Sequence, residues 1–265
     1  MQNLLRIEWL KVRPYKAFWI LLGLSVVGIV GVCYIAYNIN TAIDVKAGKQ
    51  NAAMLIGHPF AYPDVWQAIS FVSGFLLFLP GVLIITLISN EFTYRTHRQN
   101  IIDGWTRTQM IGVKWLWVFV LSVVATLSVI LASVLIGGIE EAPFDLAKFY
   151  YVGYFFVEAL HYMAVALLLG ALMKRAGLAI ASLIVYVFII KYVLAHLVDR
   201  FISSYTGNFL PLTISDNLIT FPTSKGLHAF FAVSGPPVGV LLAGSIVYLG
   251  LYAWLMIWKF NNQDL

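Results

Sequence analysis

Charge and cysteine are what this chain has little of. Only 11% of its 265 residues are charged and 61% are hydrophobic, whereas a soluble domain carries about a quarter charged residues. That balance excludes an ordinary soluble fold. The one cysteine, Cys33, excludes an intrachain disulfide and leaves the redox compartment unread. The short alternating segments of an outer-membrane barrel are missing. So are a G-x-x-x-x-G-K-[ST] loop to cradle phosphates and an H-E-x-x-H pair to hold a catalytic metal. No repeat or low-complexity stretch divides the chain. The net charge of +5 is not gathered into a groove-sized patch for nucleic acid, because the basic residues flank apolar runs instead.

What is present is a series of such runs. They predict an all-α, polytopic membrane protein with six transmembrane helices, over 18–37, 66–89, 115–136, 149–173, 177–198 and 237–258. Each spans about 30 Å or more at 1.5 Å per residue. The first is too long for the apolar region of a signal peptide and lacks a small-residue cleavage site after it, so it reads as a retained span. Arg6, Lys11, Arg13 and Lys16, then Arg95, Arg98, Arg107 and Lys114, then Lys174, Arg175 and Lys259 all fall on one side. The positive-inside rule makes that side cytoplasmic, with both termini inside. Residues 1–17 read as an interfacial helix with Leu5, Trp9 and Val12 on one apolar face interrupted by Glu8. Residues 199–236 are too apolar for a solvated loop and too broken by proline and glycine for a span. They are expected to lie on the outer surface or dip between helices. The whole of 1–265 forms one membrane domain.

The strip "NEFTYRTHRQNIIDGWTRTQMIGVK", residues 90–114, separates the second and third spans. Gly104 suits the left-handed residue that ends a helix, and Thr106 with Gln109 has capping-box spacing for the start of another. The strip therefore predicts helix, tight turn, helix, with Trp105 exposed at the bend; the plainer reading is a basic loop that only orients its neighbours. The order Glu91, Thr96, Arg98, Gly104, Thr106-Arg107, Lys114 resembles the corresponding loop of type-2 permeases of ATP-binding-cassette (ABC) exporters, including the bacitracin-resistance-like branch. Arg95 and Trp105 depart from that pattern. The opening "LLRIEWLKVRPYKAFWILL" is also similar to the family's first segment.

The resemblance implies a half-transporter in the plasma (inner) membrane, surrounded by lipid, with no cofactor or catalytic residues of its own. A separate cytoplasmic ATPase would bind ATP and Mg, and a second permease chain, identical or paralogous, would complete the pathway. Residues 90–114 would be the coupling segment, with Glu91, Thr96, Arg98, Gly104, Trp105, Thr106, Arg107 and Gln109 meeting the ATPase.

Charges at membrane depth are costly and seek partners or water. Glu158 and Lys191 lie at similar depths, roughly 13 and 10 Å from the outer ends of their spans at 1.5 Å per residue. An ion pair between them is therefore expected, with snorkelling of Lys191 as the alternative. Phe71, Phe75 and Phe78 form a stripe that either lines a pathway or packs against neighbours. Pro80-Gly81 is expected to kink the second span, and Gly235, Gly239 and Ala243 to allow close packing of the last. A competing function is an ATP-independent transporter or channel using Glu158, His161 and Lys191 as a relay. An intramembrane protease built on Glu140-Glu141 is disfavoured, because that pair falls outside the spans and Asp145 stands where such a motif has arginine.

Overall fold

The computed structural model describes residues 2–47, 58–94, 104–140, 142–222 and 236–261. Among these there are helices and turns and no strand. With no water to satisfy backbone groups inside a bilayer, an apolar run must close its own hydrogen bonds, and helices do so. In order they are α1 Gln2–Val12, α2 Lys16–Ala47, α3 Val65–Gly74, α4 Phe78–Thr93, α5 Arg107–Ile139, α6 Tyr150–Met173, α7 Ala176–Val185, a π-helical segment Tyr186–Ile190, α8 Lys191–Phe201, a 3-10 turn Thr206–Phe209, α9 Thr213–Asp216 and α10 Val238–Asn261. Among the described residues five helices are long and apolar enough to cross a membrane, and the bent pair α3–α4 supplies a sixth if counted as one span.

Four boundaries differ from the sequence expectation. Helix α2 runs on to Ala47, well past 37, because the polar residues after Tyr37 continue the helix beyond the apolar stretch. Helix α5 begins at Arg107 rather than 115, so the short helix expected after the turn is the first part of the third span itself. The fifth span continues to Phe201, into the segment assigned to the outer loop. The second span is broken by 46° between Gly74 and Phe78 instead of kinking at Pro80-Gly81. In a continuous helix Pro80 would offer no N–H to the carbonyl of Leu76 and its ring would crowd that carbonyl. The chain instead tightens through Leu77 N to Gly74 O and Leu79 N to Leu76 O bonds, and Pro80 sits in the first turn of α4, where no N–H is needed.

Helix α6 is the most buried of the candidate spans and packs against α3, α4, α5, α7 and α10. Its buried Ala159, Ala164, Ala166 and Ala171 leave room for neighbouring backbones. The closest approach is at Gly170, where an added Cβ would lie 2.3 Å from Ile88 Cγ2 of α4. On α10 the small residues Gly239 and Ala243 face outward, contrary to expectation, and Gly235 lies outside the described residues. Gly244 makes the tight contact there, with Ile214 Cδ1 2.5 Å from where its Cβ would be.

Of the two expectations for the segment before the last span, residues 206–222 follow the second and fold in among the spans. Leu212, Ile214, Leu218 and Ile219 are buried. Gln67 Nε2 donates to Thr220 O (2.7 Å), Tyr186 to Pro211 O (2.9 Å) and Tyr248 to Phe209 O (2.8 Å). Gly170→Ala should lower stability by about 1–3 kcal/mol through overpacking. Thermal denaturation of the purified protein checks this, and Ile88→Ala in the same chain should cost less than it does alone.

Candidate functional site

Two regions gather the polar side chains of this apolar molecule. The first joins α1 to the helix ends that flank the 90–114 strip. Glu8 and Lys11 are three residues apart on α1 and face the same way; Glu8 and Val12 are buried while Trp9 and Leu10 point outward. Glu8 is thus the anchor of the helix, not an interruption of its apolar face. Lys114, buried near the start of α5, donates to Glu8 Oε2 at 2.8 Å and to Glu91 Oε1 at 2.5 Å. Lys11 Nζ donates to Glu8 Oε1 at 2.8 Å and lies 3.6 Å from Glu91 Oε1. Two ammonium groups and two carboxylates therefore form a neutral clasp between α1, the end of α4 and the start of α5. Burial by itself would raise the Glu8 carboxyl, but Lys114 and Lys11 beside it bring it below its ordinary value.

Next to this clasp the chain turns at Gly104, whose φ of +87° is cheap only for glycine. Helix α5 then starts with a complete capping box: Gln109 N donates to Thr106 Oγ1 (3.3 Å), and Thr106 N donates to Gln109 Oε1 (3.0 Å). Arg107 is the first residue of the helix. Trp105 is half-buried, not exposed, because the Lys11 ammonium lies 5.6 Å from its ring centroid. Arg95, Thr96 and Arg98 lie outside the described residues.

The second region is a cavity of about 530 Å³ among α3, α6, α8 and the folded-in segment around α9. Glu158, Lys191 and Asp216 supply its ionisable carboxylate and ammonium groups, and Tyr162, Thr213, Asn217 and Thr220 the rest of its polar lining. The expected Glu158–Lys191 pair is not what forms. Lys191 Nζ donates to Asp216 Oδ2 at 2.5 Å and to Tyr162 Oη at 2.8 Å, while Tyr162 donates to Asp216 Oδ1 at 3.1 Å. The reason is topological: α9 tucks Asp216 inward to the depth of Lys191. The π-helical segment just before Lys191 adds one residue to the turn and shifts the following side chains by about 100°. Lys191 is buried as a result, whereas Ile190 and Tyr192 on either side stay exposed.

Phe71 and Phe75 line this cavity and meet edge to face at 5.5 Å. Phe78, beyond the break, meets the lining residue Phe188 edge to face at 5.3 Å. His161 turns the other way, its Nε2 3.0 Å from Ser245 O on α10. The Glu158–His161–Lys191 relay is therefore not assembled in one place.

The family model of the ABC-2 family transporter protein matches residues 4–198. The chain belongs to that family. No curated protein matches it. Membership together with the apolar helices makes this a multi-pass membrane permease of the ABC transporter class. The matched stretch of this ABC-2 chain contains the whole clasp and, from the cavity, Glu158, Tyr162 and Lys191. Asp216 lies beyond it. Three pairings were invisible to pattern reading: Glu8 and Glu91 with Lys114, and Asp216 with Lys191. The i,i+3 spacing of Glu8 and Lys11 was the one available signal.

Removing one member of a buried ionic cluster leaves an uncompensated charge. Lys114→Met should destabilise the ABC-2 permease by about 3–5 kcal/mol, with the loss seen first as faster amide exchange in α1. A depressed carboxyl stabilises the fold above its unfolded pKa and ceases to do so as pH falls through the folded value. Exchange in α1 should therefore accelerate on acidification below the ordinary carboxylate range, and Glu8→Gln should abolish that dependence.

Proposed function

We propose that this ABC-2 permease is a half-transporter that exports its substrate, driven by ATP hydrolysis on a separate cytoplasmic ATPase subunit. The observation that carries the reading is the four-charge clasp, centred on the buried Glu8 and Lys114. A surface that receives a push from another protein must be rigidly attached to the helices it moves. Here α1, the end of α4 and the start of α5 are tied together by Glu8, Lys11, Glu91 and Lys114. The glycine turn, the capping box and Trp105 adjoin that tie.

In this reading residues 90–114 face the cytoplasm and dock in the ATPase, with Trp105 as an aromatic anchor. The bent pair α3–α4 counts as one of six spans, both termini are cytoplasmic, and the membrane is the plasma membrane. ATP and Mg are held by the partner. A second permease chain, a copy or a paralogue, would face this one across the pathway, and the coupling strip resembles that of the bacitracin-resistance-like branch. Alternating exposure of the cavity needs no covalent chemistry from the chain.

Proline fixes φ near about −65°, which the turn at Gly104 does not allow. Gly104→Pro and Trp105→Ala should each reduce coupled export by about tenfold or more, roughly the loss of one interface hot spot. Membrane insertion should remain normal. Transport assays on the reconstituted complex, with ATP hydrolysis measured alongside, check this; wild-type export by both variants would remove the coupling assignment.

A further inference from the structure

Glu158 is the one carboxylate of the cavity that has no cation of its own. It is 4% exposed, and among the described residues it makes no hydrogen bond or ion pair, since Lys191 is taken by Asp216 and Tyr162. Its carboxylate lies against Gly74 at the break of the second span, where a Cβ would come within 2.6 Å of Oε1. The missing side chain leaves the carboxylate open to the cavity it lines.

The charges that act on Glu158 are Lys191 from α8 and Asp216 from α9. Lys191 and Asp216 neutralise each other, so Glu158 is left as the carboxyl that lacks a counter-ion whenever it ionises. A charge at membrane depth calls for a counter-ion. The chain supplies none, and the cavity is large enough to admit one.

The walls indicate what kind. Six aromatic side chains, Phe71, Phe75, Tyr162, Phe188, Tyr192 and Phe221, line the cavity; the rings of Tyr162 and Tyr192 already face the Lys191 ammonium. Aromatic faces attract cations, and a volume of about 530 Å³ falls in the range of organic ligands. A bare divalent ion would need several oxygen ligands, but Asp216 is already held by Lys191 and Tyr162, and no cluster of three or more acidic, histidine or cysteine side chains occurs among the described residues. Phe75, Phe188 and Tyr192 are each about half exposed on the outward faces of their spans. The mouth is thus rimmed by aromatic rings at membrane depth, a route for a molecule already dissolved in lipid.

We infer that the cavity binds a lipophilic organic cation, with Glu158 as its counter-ion and the aromatic rings as its walls. This deepens the transport reading by naming a substrate class, and it rests on that reading only for the claim that the bound molecule is transported. Binding itself can be measured on the chain without any ATPase. Failure of coupling would leave a positive binding result standing, and failure of binding would leave the coupling assignment untouched.

The test is equilibrium binding of radiolabelled tetraphenylphosphonium to the purified full chain in lipid nanodiscs, with tetraphenylborate as a competitor of matching shape and opposite charge. Saturable binding is expected, with no competition from tetraphenylborate. Glu158→Gln should weaken binding by about tenfold or more, the loss of a desolvated charge partner. Glu158→Asp should restore part of it, and Phe75→Ala should weaken it to a smaller degree. Thermal denaturation of each variant confirms folding. If Glu158→Gln does not fold, the charge selectivity of the wild type and the Phe75→Ala variant decide. Non-saturable uptake by the wild type, equal competition by tetraphenylborate, or unchanged affinity in folded Glu158→Gln or Phe75→Ala would overturn the inference.

Discussion

One ammonium group, Lys114, sits between two carboxylates from different parts of the chain, the buried Glu8 and the partly buried Glu91. Such an arrangement adds little net stability, because taking the charges out of water costs about as much as their attraction returns. Its consequence is geometric. Once these groups are buried, neither helix can move away without exposing an unpaired charge to an apolar surrounding. The N-terminal helix is therefore fixed to the two helix ends that enclose the basic strip, and the three move together or not at all.

Helix α4 carries that constraint inward. One of its ends bears Glu91, and the other begins just after the break at which Gly74 receives the carboxylate of Glu158. Along its length it is seated on α6, with Ile88 pressed against Gly170. Clasp and cavity are thus the two ends of one rigid helix packed on the central one. A displacement applied at the clasp has a direct mechanical path to the break, and the break is where the cavity wall changes direction. The π-helical segment before Lys191 lies on the opposite wall, so both walls of the cavity contain a departure from regular helix. Such departures leave backbone groups under-satisfied and tolerate rearrangement more readily than a continuous helix does.

Much of this was legible in the sequence, because the physics of spans is local. Long apolar runs locate the helices, and the capping pair Thr106 and Gln109 and the turn at Gly104 depend on neighbours within a few residues. The break in the second span was legible in kind but displaced in position. Proline's missing hydrogen bond belongs to the residue four before it, so the break falls at the turn preceding Pro80. The ionic partners were not legible. Depth along adjacent spans suggested Glu158 for Lys191, but Asp216 reaches the same depth from a short helix inside a segment that hydropathy cannot resolve. Glu8 looked like a flaw in an amphipathic face only while that face was taken to meet lipid. Its true neighbour, Lys114, lies more than a hundred residues away in the chain, and only the packing of α1 on α5 brings them together.

Everything asked of the clasp requires that the strip beside it face the compartment where ATP is hydrolysed. Thr108 is exposed within the turn that the capping box closes, and the single native cysteine, Cys33, is buried. A Thr108→Cys change in a Cys33→Ser background therefore provides one accessible thiol at the decisive place. The measurement is its labelling by a membrane-impermeant maleimide in oriented vesicles. Reaction only in inside-out vesicles, with protection when the ATPase subunit is bound, is the predicted result; reaction in right-side-out vesicles would contradict the coupling role.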